Sequence, residues 1–544
     1  MKRLCAALLA AAMLLSLSAC GGRPGAAENP SEGSAIPEDD YIHITTAEEF
    51  RAIAENLSGK YILDANIDSR DLTDGDSFRP IGSVAAPFTG ELNGNGYKVT
   101  GILEYTGEDA AWGLFACNAG SIHDLKIASF QSEGLSNRYY EIVQDDWNYS
   151  TDLSGLPVDQ TTDYGVLCGC NSGVIENVVF DDGMIPDLNL LQNANDWIHI
   201  GLVCGVNAGA VRGVELKSVS FCFRSLDHDT AVDVGGVCGL LTASGTVEKI
   251  RLSGVTVSLD SYPDLNTAPA VNAGGVAGEI ENGGVLGEIT QPEGRVIVSA
   301  PYALADAAMC LGGFAGLVWG DIALSGLETH TRVSMDLRED AVGYVPSAQT
   351  YACGGGLIGR AEGNVTVTDC KLQEMSVSVL TREGGNPLYS AAGGIVGWCG
   401  GDLAVSGVVL PRGTNAEIDS EGRDTWFGGL CGFCAGGAEI RDTEAHIAMS
   451  SYFYHGFTLC QSNILGYVQG NAAFSGVKTD CGENGNQTVT GDAESVYYLA
   501  ALAGCAEDPV TADGCEVDVY YNAYTGSAIL YDGSDGEGLY NTLH

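Results

Sequence analysis

A five-residue pattern recurs along most of this chain: a glycine, a second glycine or an apolar residue, a large apolar residue, a small residue and, in most copies, a final glycine. Copies begin at Gly113, Gly165, Gly201, Gly235, Gly274, Gly312, Gly355, Gly393 and Gly428, with weaker ones at Ile464 and Leu502. From Gly165 onward successive copies start 34 to 43 residues apart. Periods of about 20 to 50 residues are typical of solenoids, whose units bury their apolar faces against their neighbours. The pattern therefore predicts a repeat array.

Each copy is followed by a turn rich in Asn, Gly or Ser and then by a second apolar strand, as in Asn171–Val178 and Asn207–Val214. A third strand often follows, for example Val255–Leu259. Three short strands per repeat favour one coil of a parallel β-helix, with glycine at the corners because it adopts tight turns without steric cost. Coils stack about 4.8 Å apart, so we expect about ten coils in a rod of about 50 Å.

The residues before the repeats predict a cap. Thr46 and Glu49 form a capping-box pattern, and apolar residues follow at helical spacing up to Leu57 before Ser58-Gly59 ends the helix. We expect residues 41–112 to hold this helix and the first coils, residues 113–510 the repeats, and residues 511–544 a C-terminal β cap.

The first twenty residues predict export. Lys2 and Arg3 precede the apolar run Leu4–Leu17, which is too short to span a bilayer comfortably. The run ends in Leu-Ser-Ala-Cys, which resembles the lipobox of bacterial lipoproteins, so residues 1–20 are expected to be a signal peptide with Cys20 as the site of lipid attachment. Residues 21–40 predict a flexible tether. The expected location is extracytoplasmic, anchored by lipid at the cell membrane or cell surface.

The charge balance restricts the partners. The chain carries 25 basic and 71 acidic residues, for a formal net charge of −46. Such a field repels nucleic acid and other polyanions, so we expect no nucleic-acid partner. A content of 45% hydrophobic residues excludes a largely disordered chain.

The segment from Tyr41 to Asn118 resembles the leading unit of bacterial surface proteins that carry the GLUG motif, through Pro-Ile-Gly, Phe-Thr-Gly-Glu-Leu-Asn-Gly-Asn-Gly-Tyr and Gly-Leu-Phe. The later repeats resemble GLUG units, although Gly-Gly-Val-Cys-Gly departs from the usual sequence of the motif. The resemblance covers roughly residues 41–510. It implies a right-handed parallel β-helix on an adhesin-like surface protein. It provides no catalytic residue to carry over.

The cysteines of the repeat predict packing. Cys168, Cys204, Cys238 and Cys431 occupy its small position, which holds Ala, Ile or Val in other copies, so we expect buried thiols. Their stacked Cβ vectors would run parallel, which disfavours disulfides, although the thiol or disulfide state stays open. Alternation would place Cys168 and Cys170 on one face of a strand. We predict no metal site, and a structural calcium ion is left open.

No catalytic motif is complete in the sequence: HExxH, a P-loop and a GxSxG with a plausible base are missing, and the many Gly-x-Gly matches are turn glycines and not a Rossmann fingerprint. We therefore predict no catalytic residues and no enzyme activity. The acidic pairs Asp145-Asp146 and Asp181-Asp182 are expected in solvated loops. A carbohydrate-active enzyme, a glycoside hydrolase or polysaccharide lyase, remains the alternative, because such enzymes use carboxylate pairs.

Aromatic residues in loops predict a binding site. The first two copies are 52 residues apart, and the insertion between them carries Tyr139, Tyr140, Trp147 and Tyr149. A second cluster lies at 452–457. Exposed aromatic rings stack on sugars or anchor protein partners, but they also cover apolar edges. We therefore expect a non-catalytic surface lipoprotein that binds a glycan or a host or matrix protein, with a purely structural envelope role as a further alternative.

Overall fold

The computed structural model describes most of the chain beyond its first 39 residues. The described residues are 40–72, 78–102, 111–133, 162–190, 197–225, 231–261, 270–304, 308–338, 351–382, 389–420, 424–453, 458–483, 487–491, 496–524 and 540–542. From Tyr41 onward they belong to one compact unit. They form an all-β solenoid of parallel strands, which confirms the predicted fold class.

Two long parallel sheets flank the glycine pattern. Sheet 1 comprises the eleven strands before it, which are Ala111–Trp112, Thr162–Gly165, Trp197–Gly201, Ala231–Gly235, Ala270–Gly274, Ala308–Gly312, Tyr351–Gly355, Tyr389–Gly393, Asp424–Gly428, Thr458–Ser462 and Val496–Ala500. Sheet 2 comprises twelve strands, of which all but the last begin within a copy of the glycine pattern: Phe115–Asn118, Cys168–Asn171, Cys204–Asn207, Cys238–Leu241, Ala277–Ile280, Ala315–Val318, Ile358–Ala361, Val396–Cys399, Cys431–Cys434, Leu465–Val468, Ala503–Ala506 and Tyr540–Thr542.

The strands that follow the sheet 2 strands along the chain, after a short turn, form two shorter sheets. Sheet 3 contains Ile42–Ile44, Lys60–Leu63, Glu91–Asn93, Ser121–His123, Val174–Glu176, Ala210–Arg212, Thr246–Glu248 and Val285–Leu286. Sheet 4 takes the same place in later coils and contains Ile322–Ser325, Val365–Thr368, Leu403–Ser406, Ala438–Arg441, Ala472–Ser475 and Val510–Asp513.

The remaining strands pair with one another in sheet 5. They are Ile67–Asp68, Lys98–Ile102, Lys126–Glu133, Val179–Leu190, Glu215–Ser225, Ile250–Ser261, Ile289–Leu304, Glu328–Thr329, Thr331–Arg338, Lys371–Leu372, Ser376–Arg382, Val409–Ser420, Glu444–Phe453, Lys478–Asp480, Gln487–Gly491, Glu516–Asp518 and Tyr521–Tyr524. Many of these strands, such as Ile289–Leu304, are longer than the short third strand that the sequence predicted.

The predicted N-terminal helix is present but short. The α-helix Ala47–Arg51 has the predicted capping box, since Glu49 N donates to Thr46 Oγ1 at 3.2 Å and Thr46 N donates to Glu49 at 3.1 Å. It continues as the 3₁₀ helix Ala52–Glu55, and a second 3₁₀ helix spans Ser69–Asp71. Phe50 is fully buried, and its ring centroid lies 6.3 Å from that of Phe115. The helix therefore contributes to the main core.

The glycine pattern forms the sharp corner between sheets 1 and 2. A Cβ atom on Gly235 would lie 2.0 Å from the carbonyl oxygen of Cys238, so no larger residue fits this corner unchanged. Its small fourth residue points into the main core, where Cys168, Cys204 and Cys238 are fully buried free thiols. This confirms the predicted packing position.

A column of buried asparagines joins three coils at the end of the sheet 2 strands. Asn118 Nδ2 donates to Asn171 Oδ1 at 2.8 Å, and Asn171 Nδ2 donates to Asn207 Oδ1 at 2.9 Å. Asn207 Nδ2 ends the column by donating to the carbonyl of Thr246 at 3.0 Å. Because buried amides need partners, each asparagine depends on the coil beside it.

Replacing Asn171 with alanine should lower the free energy of unfolding by about 2 kcal/mol, because the amides of Asn118 and Asn207 each lose a buried partner. Urea denaturation followed by circular dichroism measures the change. Asn415→Ala is the matched control, since that exposed side chain bonds to the nearby Gly413 carbonyl, and it should shift stability by less than about 0.5 kcal/mol. Equal losses in both variants would contradict the role of the column.

Candidate functional site

Sheets 1 and 2 also meet on the face opposite the main core, along a line that we call the seam. In each coil, one member lies two residues before the end of the sheet 1 strand and another is the third residue of the sheet 2 strand. The sheet 1 members are Asp163, His199, Asp233, Asn272, Cys310, Cys353, Ala391, Trp426, Cys460 and Tyr498. The sheet 2 members are Cys117, Cys170, Val206, Leu240, Glu279, Leu317, Arg360, Trp398, Phe433, Tyr467 and Cys505.

Glycine in sheet 2 brings the two sheets together at the seam. A Cβ atom on Gly432 would lie 2.7 Å from the backbone nitrogen of Ala392 in sheet 1. The buried seam residues Cys310, Leu317 and Phe433 belong to an apolar cluster that is separate from the main core. The seam is therefore a second packing layer, and its outer side chains remain partly exposed.

Six aromatic rings line the seam over four consecutive coils, and we call them the aromatic row. They are Tyr351, Tyr389, Trp398, Trp426, Phe433 and Tyr467. Ring centroids are 5.7 Å apart for Tyr351 and Tyr389, and 3.9 Å apart for Trp398 and Phe433. In-register strands about 4.8 Å apart hold rings at stacking distance, so the register of the coils creates the row. Phe433 is buried, whereas the other five are partly exposed.

Arg360 lies at one end of the aromatic row. Its guanidinium carbon is 4.1 Å from the ring centroid of Tyr351 and 4.9 Å from that of Trp398, both within cation–π range. Its Nε donates to Glu362 Oε1 at 2.7 Å, which balances the positive charge. Burial raises the pKa of Tyr351 and of Tyr389, so both phenols stay neutral at physiological pH. The row therefore offers flat, uncharged faces with a few hydroxyl groups at its edge.

The other half of the seam is polar. His199 Nδ1 bonds to Asp163 Oδ1 at 2.9 Å, and His199 Nε2 lies 3.5 Å from Asp233 Oδ2. Asn272 Nδ2 donates to Asp233 Oδ1 at 2.8 Å and contacts Glu279 Oε2 at 3.4 Å. We call these five residues the acid–histidine group. They come from four consecutive coils and replace apolar seam contacts with a hydrogen-bonded chain.

Burial governs the protonation of the acid–histidine group. Burial, with repulsion from Glu279, raises the pKa of Asp233 well above its ordinary value. Burial alone would lower the pKa of His199, but its bond to Asp163 and the nearby negative charges raise it overall. Asp233 is 0% exposed and His199 is 7% exposed, so these two side chains are buried beneath the surface of the seam. The group stabilises or destabilises the fold as it titrates.

The structure corrects the expected position of Cys170. Cys168 points into the main core, whereas Cys170 lies in the seam and forms a disulfide with Cys117, its in-register neighbour. The two cysteines therefore do not share one face: Cys168 packs in the main core and Cys170 in a separate cluster of the seam, where Gly169 lies against sheet 1. A second disulfide joins Cys460 of sheet 1 to Cys505 of sheet 2 across the seam. Parallel Cβ vectors thus do not prevent bonding in this fold.

The expected loop position of Asp181 and Asp182 is wrong. They lie in the sheet 5 strand Val179–Leu190 and not in the expected loop, with positive φ at Asp182 marking a local irregularity. Asp181 Oδ1 pairs with Lys217 Nζ on the next coil at 3.8 Å, as a partly exposed ion pair. The pair Asp145-Asp146 lies outside the described residues.

Most predicted binding residues fall outside the described part of the chain. These are Tyr139, Tyr140, Trp147 and Tyr149 of the insertion, together with the lipid-attachment residue Cys20. Of the second aromatic cluster, Tyr452 lies in the sheet 5 strand Glu444–Phe453, and residues 454–457 are not described. These assignments stay predictions.

A shallow depression lies away from the seam, near the N-terminal coils. It has a volume of about 420 Å³, and its lining includes Asn93, Asn95, Asp124, Lys126 and Asn177. Within the described ranges, no three His, Cys, Asp or Glu side chains are arranged to hold a metal ion. No helix among the described residues is long and apolar enough to cross a membrane.

No family model, no curated protein and no solved structure matches this chain. The fold itself defines the class: a parallel β-solenoid with a continuous seam on its outer face. The seam was not predicted from the repeat pattern, although the sequence contains a signal for it. Aligning the repeats on their glycines would have placed Trp426 and Cys460 in one column, and Arg360, Trp398 and Phe433 in another.

Proposed function

We propose that this protein is a lipid-anchored bacterial surface protein without catalytic activity, and that its aromatic row binds a glycan. The observation that carries the proposal is the stacking of six aromatic rings, five of them partly exposed, along four consecutive coils. Repeating rings at coil spacing suit an extended ligand that itself has repeating ring faces. Glycans have this property, since each sugar unit has an apolar face that aromatic rings cover.

Charge favours an uncharged glycan. Arg360 is paired with Glu362, so the row lacks an unbalanced positive charge that would select carboxylated or sulfated sugars. The net charge of −46 repels polyanions from the whole surface. The expected lipid at Cys20 and the tether 21–40 support display of the solenoid outside the cytoplasm, where polysaccharides are accessible.

The test is binding of purified full-length protein to a panel of neutral polysaccharides: cellulose, xylan, mannan, chitin and β-glucan. The double variant Tyr389→Ala/Trp426→Ala removes two partly exposed rings whose centroids are 5.4 Å apart. We expect the dissociation constant for the bound polysaccharide to rise at least about tenfold, or about 1.4 kcal/mol. The matched control, Tyr520→Ala, removes an aromatic side chain that is 59% exposed and outside the row, and binding should not change.

Two further results separate the alternatives. Binding that survives the double variant but disappears in Tyr139→Ala/Tyr140→Ala/Trp147→Ala would move the site to the insertion and contradict the role of the row. Release of reducing ends from any polysaccharide would contradict the non-catalytic assignment. No binding to the whole panel would reject the glycan hypothesis, provided that circular dichroism shows the protein to be folded.

A further inference from the structure

The seam contains a third pair of cysteines. Cys310 and Cys353 are in-register neighbours in adjacent sheet 1 strands, Ala308–Gly312 and Tyr351–Gly355. Both side chains are 0% exposed. They pack with Leu317 in the apolar cluster of the seam rather than in the main core. The pair thus lies directly beside the first ring of the aromatic row.

A disulfide with the same arrangement already exists in this molecule. Cys117 and Cys170 are also in-register neighbours on adjacent coils of the seam, and they are bonded to each other. Cys460 and Cys505 show that the seam holds a disulfide at its other end as well. Of the free cysteines in the described residues, Cys310 and Cys353 alone belong to the seam's cluster, between these two disulfides along the solenoid.

The thiols of the main core differ in their surroundings. Cys168, Cys204 and Cys238 form a column of three between large apolar residues, and Cys399 and Cys434 are also part of the main core. A bond within such a column would shift side chains that pack at interior density, which is costly. The seam is a shallow layer with partly exposed neighbours, so it adjusts more easily.

We propose that Cys310 and Cys353 form a third disulfide of the seam when the protein folds in an oxidising compartment. The reaction uses a disulfide oxidant such as oxidised glutathione. One cysteine thiolate attacks the oxidant and releases one glutathione thiolate; the second cysteine thiolate then attacks the mixed disulfide and releases the other. Two electrons pass to the oxidant, and the two thiol protons go to solvent or to the released thiolates. The bond forms during folding, before burial closes the seam.

The consequence is a covalent link between two consecutive coils at the start of the aromatic row. The ring of Tyr351 contacts the guanidinium group of Arg360, and Tyr351 lies two residues before Cys353. The link therefore restricts the coil that carries Tyr351 and Arg360. Oxidation also removes two titratable thiols from beneath the row. The proposal rests on the export part of the proposed function, because thiols in the cytosol are kept reduced.

The experiment is refolding of denatured, reduced full-length protein in buffer containing oxidised and reduced glutathione, followed by alkylation in denaturant and peptide mass spectrometry. We expect one peptide pair joined through Cys310 and Cys353, lighter than the two thiol peptides by two hydrogen atoms. Cys168, Cys204, Cys238, Cys399 and Cys434 should be alkylated and serve as internal controls. Recovery of both Cys310 and Cys353 as alkylated thiols would overturn the proposal, and so would their joining to other cysteines.

A second measurement separates this inference from the proposed export. Protein isolated from its host under acid quenching, without refolding, should contain the same linked peptide. If the pair is linked after refolding but reduced in the isolated protein, the geometry is supported and export fails. Cys353→Ala should lower the melting temperature of the oxidised protein by several degrees and leave that of the reduced protein within about two degrees. An equal loss in both redox states would contradict the link.

Discussion

Gly432→Ala should lower the free energy of unfolding by about 3 kcal/mol or more. Its Cβ atom would lie 2.6 Å from the carbonyl oxygen of Gly397 and 2.7 Å from the backbone nitrogen of Ala392. All of these atoms belong to backbone in paired strands, Gly397 in sheet 2 and Ala392 in sheet 1, so the overlap is relieved only by shifting the backbone of neighbouring strands. Overpacking of a rigid interior costs about 1 to 3 kcal/mol. Because the overlapping atoms here are backbone atoms, which cannot turn aside as a side chain can, we expect a cost at or beyond the upper end of this range.

Urea denaturation at equilibrium measures this loss, with the melting temperature as a second measurement. Gly437→Ala is the matched control in the same coil, because its Cβ atom would come no closer than 3.2 Å to another atom, the carbonyl oxygen of Asn471. We expect the control to change stability by less than about 1 kcal/mol. A Gly432→Ala protein as stable as Gly437→Ala would mean that the two sheets do not approach each other as described.

Stability should fall as the pH rises from 5 to 8, by up to about 1.4 kcal/mol per pH unit for each proton that is lost. Asp233 has a raised pKa in the folded state, so the native protein holds this proton more tightly than the unfolded chain. The unfolding free energy then decreases as pH rises above the unfolded value of about 3.9 toward the folded value. The pKa of His199 is also raised in the folded state, so His199 contributes stability that is fully present below about pH 6.5 and is lost as the pH rises through its folded pKa.

Asp233→Asn tests the larger part of this dependence. Asparagine keeps the size of the side chain and an oxygen that accepts from Asn272, but it cannot ionise. We expect the variant to be more stable than the original protein at pH 8 and to have a smaller slope between pH 5 and 8. Asp181→Asn, which removes one partner of a partly exposed ion pair, should leave the slope unchanged. An unchanged slope in Asp233→Asn would contradict a titrating buried carboxyl group.

The repeat allowed much of the fold to be predicted. The small position, with Cys168, Cys204 and Cys238, was correctly assigned to the core because it exchanges with alanine and valine in other copies. The capping box of Thr46 and Glu49 was also correct, since its two hydrogen bonds join residues three apart. Both features depend on local geometry or on repetition, which a single sequence displays directly.

Two predictions failed for one physical reason. Cys168 and Cys170 were assigned to one face by simple alternation, but they pack in different clusters on either side of Gly169, which lies against the backbone of Ala111 and Trp112. Asp181 and Asp182 were assigned to a loop because acidic pairs favour turns, yet pairing with neighbouring coils extends this strand. Contacts between coils override local preferences in both cases.

The sequence by itself determined the solenoid, the position of its corners and the residues that fill its core, because each is repeated in every coil. Only the tertiary structure decided which residues share the seam. Cys310 and Cys353 are 43 positions apart, and Asp233 and Asn272 are 39 apart, so their contact depends on the register of stacked coils. It depends equally on the angle at the glycine corner, which brings the outer faces of sheets 1 and 2 together. Neither quantity is a property of a local stretch of chain.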